Sequence, residues 1–271
     1  MQLNNLCGID IGCTNIKMTA IVNGIQTEST IPSRDMVRHE LIEAISNFYL
    51  SFDNKFSGLG IAFSGYTNDN LHVCHTSLPC LKHLSVEDFS HLNCPKVQLI
   101  NDANATALAG TIEYPNSKVL IGITNGTGIG CGITINGKLF AGANGIAGEI
   151  YGNPVVLPND KITKIGKLCS GSKILEELRS INTRTRNDQE IIIRNASIYF
   201  GTLLVSLIHS YNPDVIYFSG GGFEFSNFFE YIYEFVYKHT YPDFLTNLKI
   251  VKSQFSTYSG CLGAMKFLVE N

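Results

Sequence analysis

Gly8-Ile9-Asp10-Ile11-Gly12-Cys13-Thr14 and Gly122-Ile123-Thr124-Asn125-Gly126-Thr127-Gly128 decide the fold. Each begins in an apolar run and ends in a small-residue loop. The first passes into a second apolar run, residues 16–22, closed by Asn23-Gly24. The second passes into residues 129–135, closed by Asn136-Gly137. An Asn-Gly pair between apolar runs is the strongest short hairpin signal. A strand, a glycine loop, a strand and an Asn-Gly turn, occurring twice, form an internal repeat. Two similar halves imply two α/β lobes with a cleft between them, where ligands favour binding.

Working outward, residues 25–31 read as a third strand, broken by Pro32 and Ser33, with Asp35 placed to cap a helix. Leu41, Ile42, Ile45, Phe48 and Tyr49 recur at helical spacing. Residues 58–64 read as a strand, 65–95 as irregular, 97–100 as a short strand and 103–113 as an Ala-rich helix. After the second repeat come a helix (189–211), a strand (214–219), an aromatic-rich helix (225–239), a strand (248–251) and a last helix from Ser259. The division expected is residues 1–113 for one lobe, with about 257–271 packing back on it, and 114–256 for the other.

Composition narrows the function. Twenty Lys+Arg against 23 Asp+Glu give a net charge of −3, which argues against a basic nucleic-acid-binding face. Apolar content of 44% excludes disorder. No 18 consecutive residues are apolar; the nearest stretch, 195–211, contains Asn, Ser, Thr and His and reads as a buried helix. The first residues carry no basic stretch, so no signal peptide and no membrane partner are expected, and a cytoplasmic location is. Eight cysteines without a Cys-x-x-Cys pair read as reduced thiols rather than a disulfide framework or a zinc knuckle.

Five segments carry chemistry. In residues 10–17, small residues after a strand let backbone N–H groups approach phosphate oxygens. Thr14 can donate its hydroxyl there, and Asp10 can hold Mg²⁺ through water. The loop Asn125-Gly126-Thr127-Gly128 is its counterpart, and two such loops can grip one triphosphate. In Asn101-Asp102-Ala103-Asn104, Asp102 can accept a proton from a substrate hydroxyl and Asn101 can bond neighbouring hydroxyls. Helix capping is the stronger reading of that segment taken alone. Gly145-Ile146-Ala147-Gly148-Glu149 delivers one carboxylate on a loop. Ser219-Gly220-Gly221-Gly222 offers bare backbone to a nucleoside. Gly132 to Leu139 nearly matches a P-loop but lacks the Ser/Thr after Lys138 and lies in a hairpin. His72, His75, His83 and His91 share no metal-ligand spacing and read as loop residues.

With these segments in this order, the chain resembles the ROK family of repressors and sugar kinases over residues 8 to about 266. The resemblance implies a two-lobed actin-like, ribonuclease H-like ATPase fold with duplicated ββ-hairpin phosphate loops. It implies that Gly12, Thr14, Gly126, Thr127 and Gly128 meet ATP phosphates and that Gly220, Gly221 and Gly222 lie near adenosine. It further implies that Gly65, Asn101, Asp102, Glu149 and Glu176 bind sugar, with Asp102 as the base, and that the chain is a homo-oligomer, a dimer.

There are departures. Cys13 replaces a usual Gly. Ile150-Tyr151-Gly152 stands where the family continues with Gly-His. Of the family's zinc cysteines only Cys169 is present, so zinc is not expected, and the loop around residues 154–167 should be held by packing, with Val155, Val156, Leu157, Ile162, Ile165 and Leu168 available to bury. Only nine residues precede Asp10, too few for the helix-turn-helix of the repressor members.

The function expected is that of an ATP- and Mg²⁺-dependent sugar kinase acting on a hydroxyl, the 6-OH, of a hexose or N-acylhexosamine. The alternatives are a noncatalytic sugar sensor and a phosphotransferase with another acceptor.

Overall fold

The computed structural model describes residues 3–52, 56–158, 160–180 and 185–270. In chain order its elements are β1 (Leu6–Ile11), β2 (Asn15–Val22), β3 (Ile25–Pro32), α1 (Arg38–Leu50), β4 (Gly58–Phe63), β5 (Val97–Asn101) and α2 (Asp102–Glu113). Then follow β6 (Val119–Asn125), β7 (Ile129–Ile135), β8 (Lys138–Leu139), β9 (Pro154–Val156), β10 (Ile162–Lys164), α3 (Gly166–Cys169) and α4 (Gly171–Ser180). The chain ends with α5 (Arg186–Tyr211), β11 (Val215–Ser219), α6 (Phe228–His239), α7 (Pro242–Leu245), β12 (Lys249–Lys252) and α8 (Ser259–Glu270).

Two five-stranded sheets carry the repeat, in the orders β3-β2-β1-β4-β5 and β12-β11-β6-β7-β8. Written from the hairpin side, both have the order third, second, first, fourth, fifth. In each, the first three strands run antiparallel and the last two join in parallel. Both Asn-Gly turns have positive φ at both residues, 53° and 77° at Asn23-Gly24 and 51° and 75° at Asn136-Gly137, as a type I′ turn requires. β4 is buried along its whole length, as expected of a central parallel strand. β3 is a polar edge, with Ile25 70% exposed.

α2 starts at the end of β5 and packs on β6 and β7, so it belongs to both halves. α8 lies on β1 and β4 and crosses α2 closely. At the crossing, a side chain at Gly263 would strike the backbone of Ala105. Ala62, Ile100, Ala105, Leu108, Ala264 and Phe267 form the small core between them, distinct from the two larger cores under the sheets.

Some expectations change. Asp35 has φ 62° and does not cap α1; Val37 is the cap residue, its N–H donating to Glu40 Oε2 at 3.0 Å. The irregular stretch after β4 holds two 3₁₀ turns, Pro79–Leu81 and Val86–Leu92, and two isolated strand bridges. Of the apolar residues between 154 and 168, Ile165 is buried, while Val156 and Ile162 pair across the β9–β10 hairpin and are 66% and 67% exposed. A two-stranded hairpin buries one face only, and these two occupy the other. By length and composition α5 could cross a membrane, but half of its apolar window is buried, with Phe200, Leu204 and Ile208 in the core. All eight cysteines are free.

Candidate active site

The end of β5 sets the centre. Asn101 has extended backbone and its Oδ1 accepts from Ala103 N at 2.9 Å and Asn104 N at 3.0 Å, capping α2. Its Nδ2 donates to Gly65 O at 2.8 Å and to Asp102 Oδ1 at 3.2 Å. The Asn101 side chain is therefore fully occupied within the protein, and the capping reading holds for it.

Asp102 is the first residue of α2. Its side-chain hydrogen bonds, from Ala103 N at 2.9 Å and from Asn101, both fall on Oδ1. Burial, followed by the nearby carboxylates Asp10 and Glu149, pushes its pKa up to about 7. Burial also raises Asp10 and Glu149. Asp10 from β1 and Glu149 from the loop after β8 thus both act on Asp102.

Two basic side chains act on this group. Lys17 stands directly opposite Asp10 in the β1–β2 ladder, with Nζ 3.6 Å from Oδ2, and lowers the Asp10 pKa against the effect of burial. His75 lowers that of Glu149. His75 is anchored beside Gly65: Tyr66 N donates to His75 O at 2.9 Å, and the two rings stack at 5.4 Å with planes 7° apart. Gly65 has φ +148°, and a side chain on it would strike His75 O, so only glycine allows this approach.

The first phosphate loop is held by Gly12 N to Asn15 O at 3.0 Å and by Ser33 Oγ to Gly12 O at 2.7 Å, leaving Thr14 exposed. The second is organised by Asn125, to which the sequence reading gave no role. Its Oδ1 accepts from Gly171 N at 2.8 Å, the first residue of α4. Ser172 N donates to Gly126 O at 2.9 Å, and Ser172 Oγ to Thr127 O at 2.6 Å. The turn after β11 folds over the same residue. Gly220 has φ +108° against the Asn125 backbone, and a Cβ at Gly222 would lie 2.7 Å from the Asn125 side chain. The structure thus brings Gly126, Thr127 and Gly128 together with Gly220, Gly221 and Gly222 around one buried amide. Gly126 and Gly221 face open space.

Tyr151, in the altered segment after Glu149, lies over Gly166, where a Cβ would strike its ring, and within 4 Å of where a Cβ on Gly128 would stand. Its ring fills the corner between α3 and the second loop.

Glu176 is not brought to this group. α4 buries Gly171 and Ile174, and Glu176 projects from its exposed side, 3.3 Å from Lys173. Among the described residues no interaction links it to the cleft carboxylates, and the sugar-contact role expected of it is not carried further.

Asp10 is a hard oxygen donor at the cleft floor and suits Mg²⁺, which takes few carboxylates and keeps water and phosphate oxygens. Among the described residues no three His, Cys, Asp or Glu side chains converge tightly enough to chelate one ion. Cys169 is buried, with Sγ donating to Ile165 O at 3.4 Å.

Residues 6–166 match the ROK family. The chain is 31% identical over 204 residues to the xylose repressor of Staphylococcus xylosus, covering 66% of this chain and 52% of the repressor. It is 30% identical over 169 residues to the N-acetyl-D-glucosamine kinase of Salmonella paratyphi C (strain RKS4594), covering 59% and 55%. The chain spans about half the length of these two relatives. With the N-acetyl-D-glucosamine kinase of Histophilus somni (strain 129Pt) it is 27% identical over 95% of its length and 96% of that kinase. The fold is that of the ROK family glucokinase from Streptomyces griseus in complex with glucose and AMPPNP, at TM-score 0.82, 19% identity and coverage of 98% and 99%.

Proposed function

Because the chain belongs to the ROK family, we propose that it is an ATP-dependent sugar kinase that transfers the γ-phosphoryl group to a sugar hydroxyl, the 6-OH of a hexose or N-acylhexosamine. The observation that carries this reading is Asp102. A carboxylate at the head of a helix, with a pKa raised to about 7, is poised to accept a proton near neutral pH. With Oδ1 held by Ala103 and Asn101, Oδ2 is the oxygen that takes the hydroxyl proton. The sugar oxygen then attacks the γ-phosphorus in line, and ADP leaves. Little covalent work falls to the protein; positioning and charge stabilisation do most of it.

The nucleotide phosphates lie between Gly12-Cys13-Thr14 and Gly126-Thr127-Gly128, and the nucleoside against Gly220 to Gly222. Asp10 would hold Mg²⁺, which would supply charge neutralisation at the phosphates. Glu149 accepts a hydrogen bond from the sugar on the far wall.

The xylose repressor among its relatives keeps a second reading in view, a sugar sensor without turnover. An intact Asp102 between two organised glycine loops favours the kinase. The test is ADP release from Mg-ATP over a panel of hexoses and N-acylhexosamines. ADP formed only with particular sugars is the expected result. Calorimetric sugar binding with no turnover across the panel overturns the kinase reading in favour of the sensor.

A further inference from the structure

The sugar side of the cleft is short of hydrogen-bond donors. A hydroxyl both donates and accepts. Asp102 and Glu149, when ionised, only accept. The amide that would ordinarily donate, Asn101 Nδ2, is committed to Gly65 O and Asp102 Oδ1. Lys17 is held on Asp10.

One further polar side chain is fixed at the rim of this group. His75 exchanges backbone hydrogen bonds with Tyr66, N to O at 2.9 Å and 3.3 Å in the two directions. Its neighbour Thr76 donates Oγ1 to Ser64 O at 2.8 Å. The segment is thus sewn to the backbone on both sides of Gly65, whose carbonyl in turn holds Asn101. The imidazole is exposed and lies flat against the Tyr66 ring, and its charge acts on Glu149, the loop carboxylate of the other lobe. The lobes meet nearby, where a Cβ at Gly145 would lie 3.4 Å from Thr67 O.

We propose that His75 is a sugar-specificity residue: from the wall opposite Glu149 it donates a hydrogen bond to the same sugar whose hydroxyl Glu149 accepts. One residue from each lobe then holds the ring, so sugar binding draws the lobes together.

This inference rests on the sugar-kinase reading, and its test keeps the two apart by measuring binding as well as turnover. The variants are His75→Ala, His75→Phe, which keeps the ring stack but has no ring nitrogen, Glu149→Gln and the double variant His75→Phe/Glu149→Gln. With the sugar selected from the panel, both His75 variants are expected to raise sugar Kd and KM roughly three- to tenfold, the loss of one hydrogen bond, while KM for ATP stays within twofold. The double variant is expected to lose less than the product of the single losses, because the two residues grip one ligand. Wild-type sugar affinity in His75→Phe, or fully multiplicative losses in the double variant, overturns the role of His75. Sugar that binds without turnover, with its Kd still raised in His75→Phe, overturns the kinase reading alone.

Discussion

The two hairpins of the repeat have the same strand order and the same turn, yet their loops do different work. In the first, Asp10 stands opposite Lys17 at the strand end. At the equivalent position of the second stands Thr124, opposite Gly130. One residue further on, Ile11 is buried in the first core, while its counterpart Asn125 holds Gly171 of α4 beneath the glycine turn after β11. One copy keeps charge at the cleft floor. The other is uncharged there and builds a backbone cradle. Duplication thus supplies two loops at equivalent strand ends, and in the proposed function these two substitutions would assign one to phosphoryl transfer and the other to nucleotide binding.

The largest effect is expected where the charged half meets α2. Asp102→Asn should lower kcat by about 10²–10⁴-fold, the usual contribution of a general base. In the wild-type enzyme the rate should rise with pH to a plateau above about 7, as Asp102 loses its proton. Stability runs the other way. The folded state holds this proton more tightly than the unfolded chain, so stability falls as pH rises from 3.8 to about 7. At pH 8 the Asn variant should therefore melt no lower than wild type, since Asn101 still caps α2. Steady-state kinetics against pH and thermal melts check both; near-full kcat in the variant breaks the assignment.

Asp10→Asn set against Thr124→Val tests the asymmetry of the loops directly. The Asp10 change should lower kcat on the order of 10²-fold, the scale seen on removing one electrostatic group from a reacting site, and raise the Mg²⁺ concentration needed. Thr124→Val should stay within roughly threefold, as for a residue outside the reacting site. Equal losses would mean that the two loops are not specialised.

Asn125→Ala should act on the nucleotide alone. It leaves Gly171 N–H without its acceptor, at a cost of about 1–3 kcal/mol, and frees α4 from the second loop. KM for ATP should rise roughly tenfold while KM for sugar holds. A rise in sugar KM of the same size would place Asn125 on the wrong side of the cleft.

The repeat was legible because its signals are local: apolar runs, glycine loops and Asn-Gly turns each act within a few residues. Asp102 was legible as a candidate, but from its own segment capping was the stronger reading. The structure divides the two roles between neighbours, the cap to Asn101 and the carboxylate to Asp102, because Asn101, with its extended backbone, accepts from both Ala103 N and Asn104 N, whereas Asp102 accepts from Ala103 N alone of the two. Asn125 was missed because its partner, Gly171, lies 46 positions away in the chain, and no periodicity reports such a pairing. Glu176, expected from the resemblance to bind sugar, lies on the solvated face of α4, because Gly171 and Ile174 take the buried side.

The smallest effect is expected from metal removal, and it bears on how the uncharged half is held. A structural zinc takes about four converging N or S ligands. Near the second loop Cys169 is buried, and its Sγ already donates to Ile165 O. Packing closes this corner: Tyr151 lies over Gly166, and Ile165, Cys169 and Ile174 sit in the core beneath the second sheet. Elemental analysis after dialysis should find no stoichiometric zinc, and a strong zinc chelator should leave the melting temperature and Mg²⁺-supported activity unchanged. Tyr151→Ala, by contrast, should lower the melting temperature, since removing a packed ring opens a cavity at that corner. About one zinc per chain, with activity lost on its removal and restored by zinc, would show that the second loop is clamped by metal rather than by the Tyr151 ring.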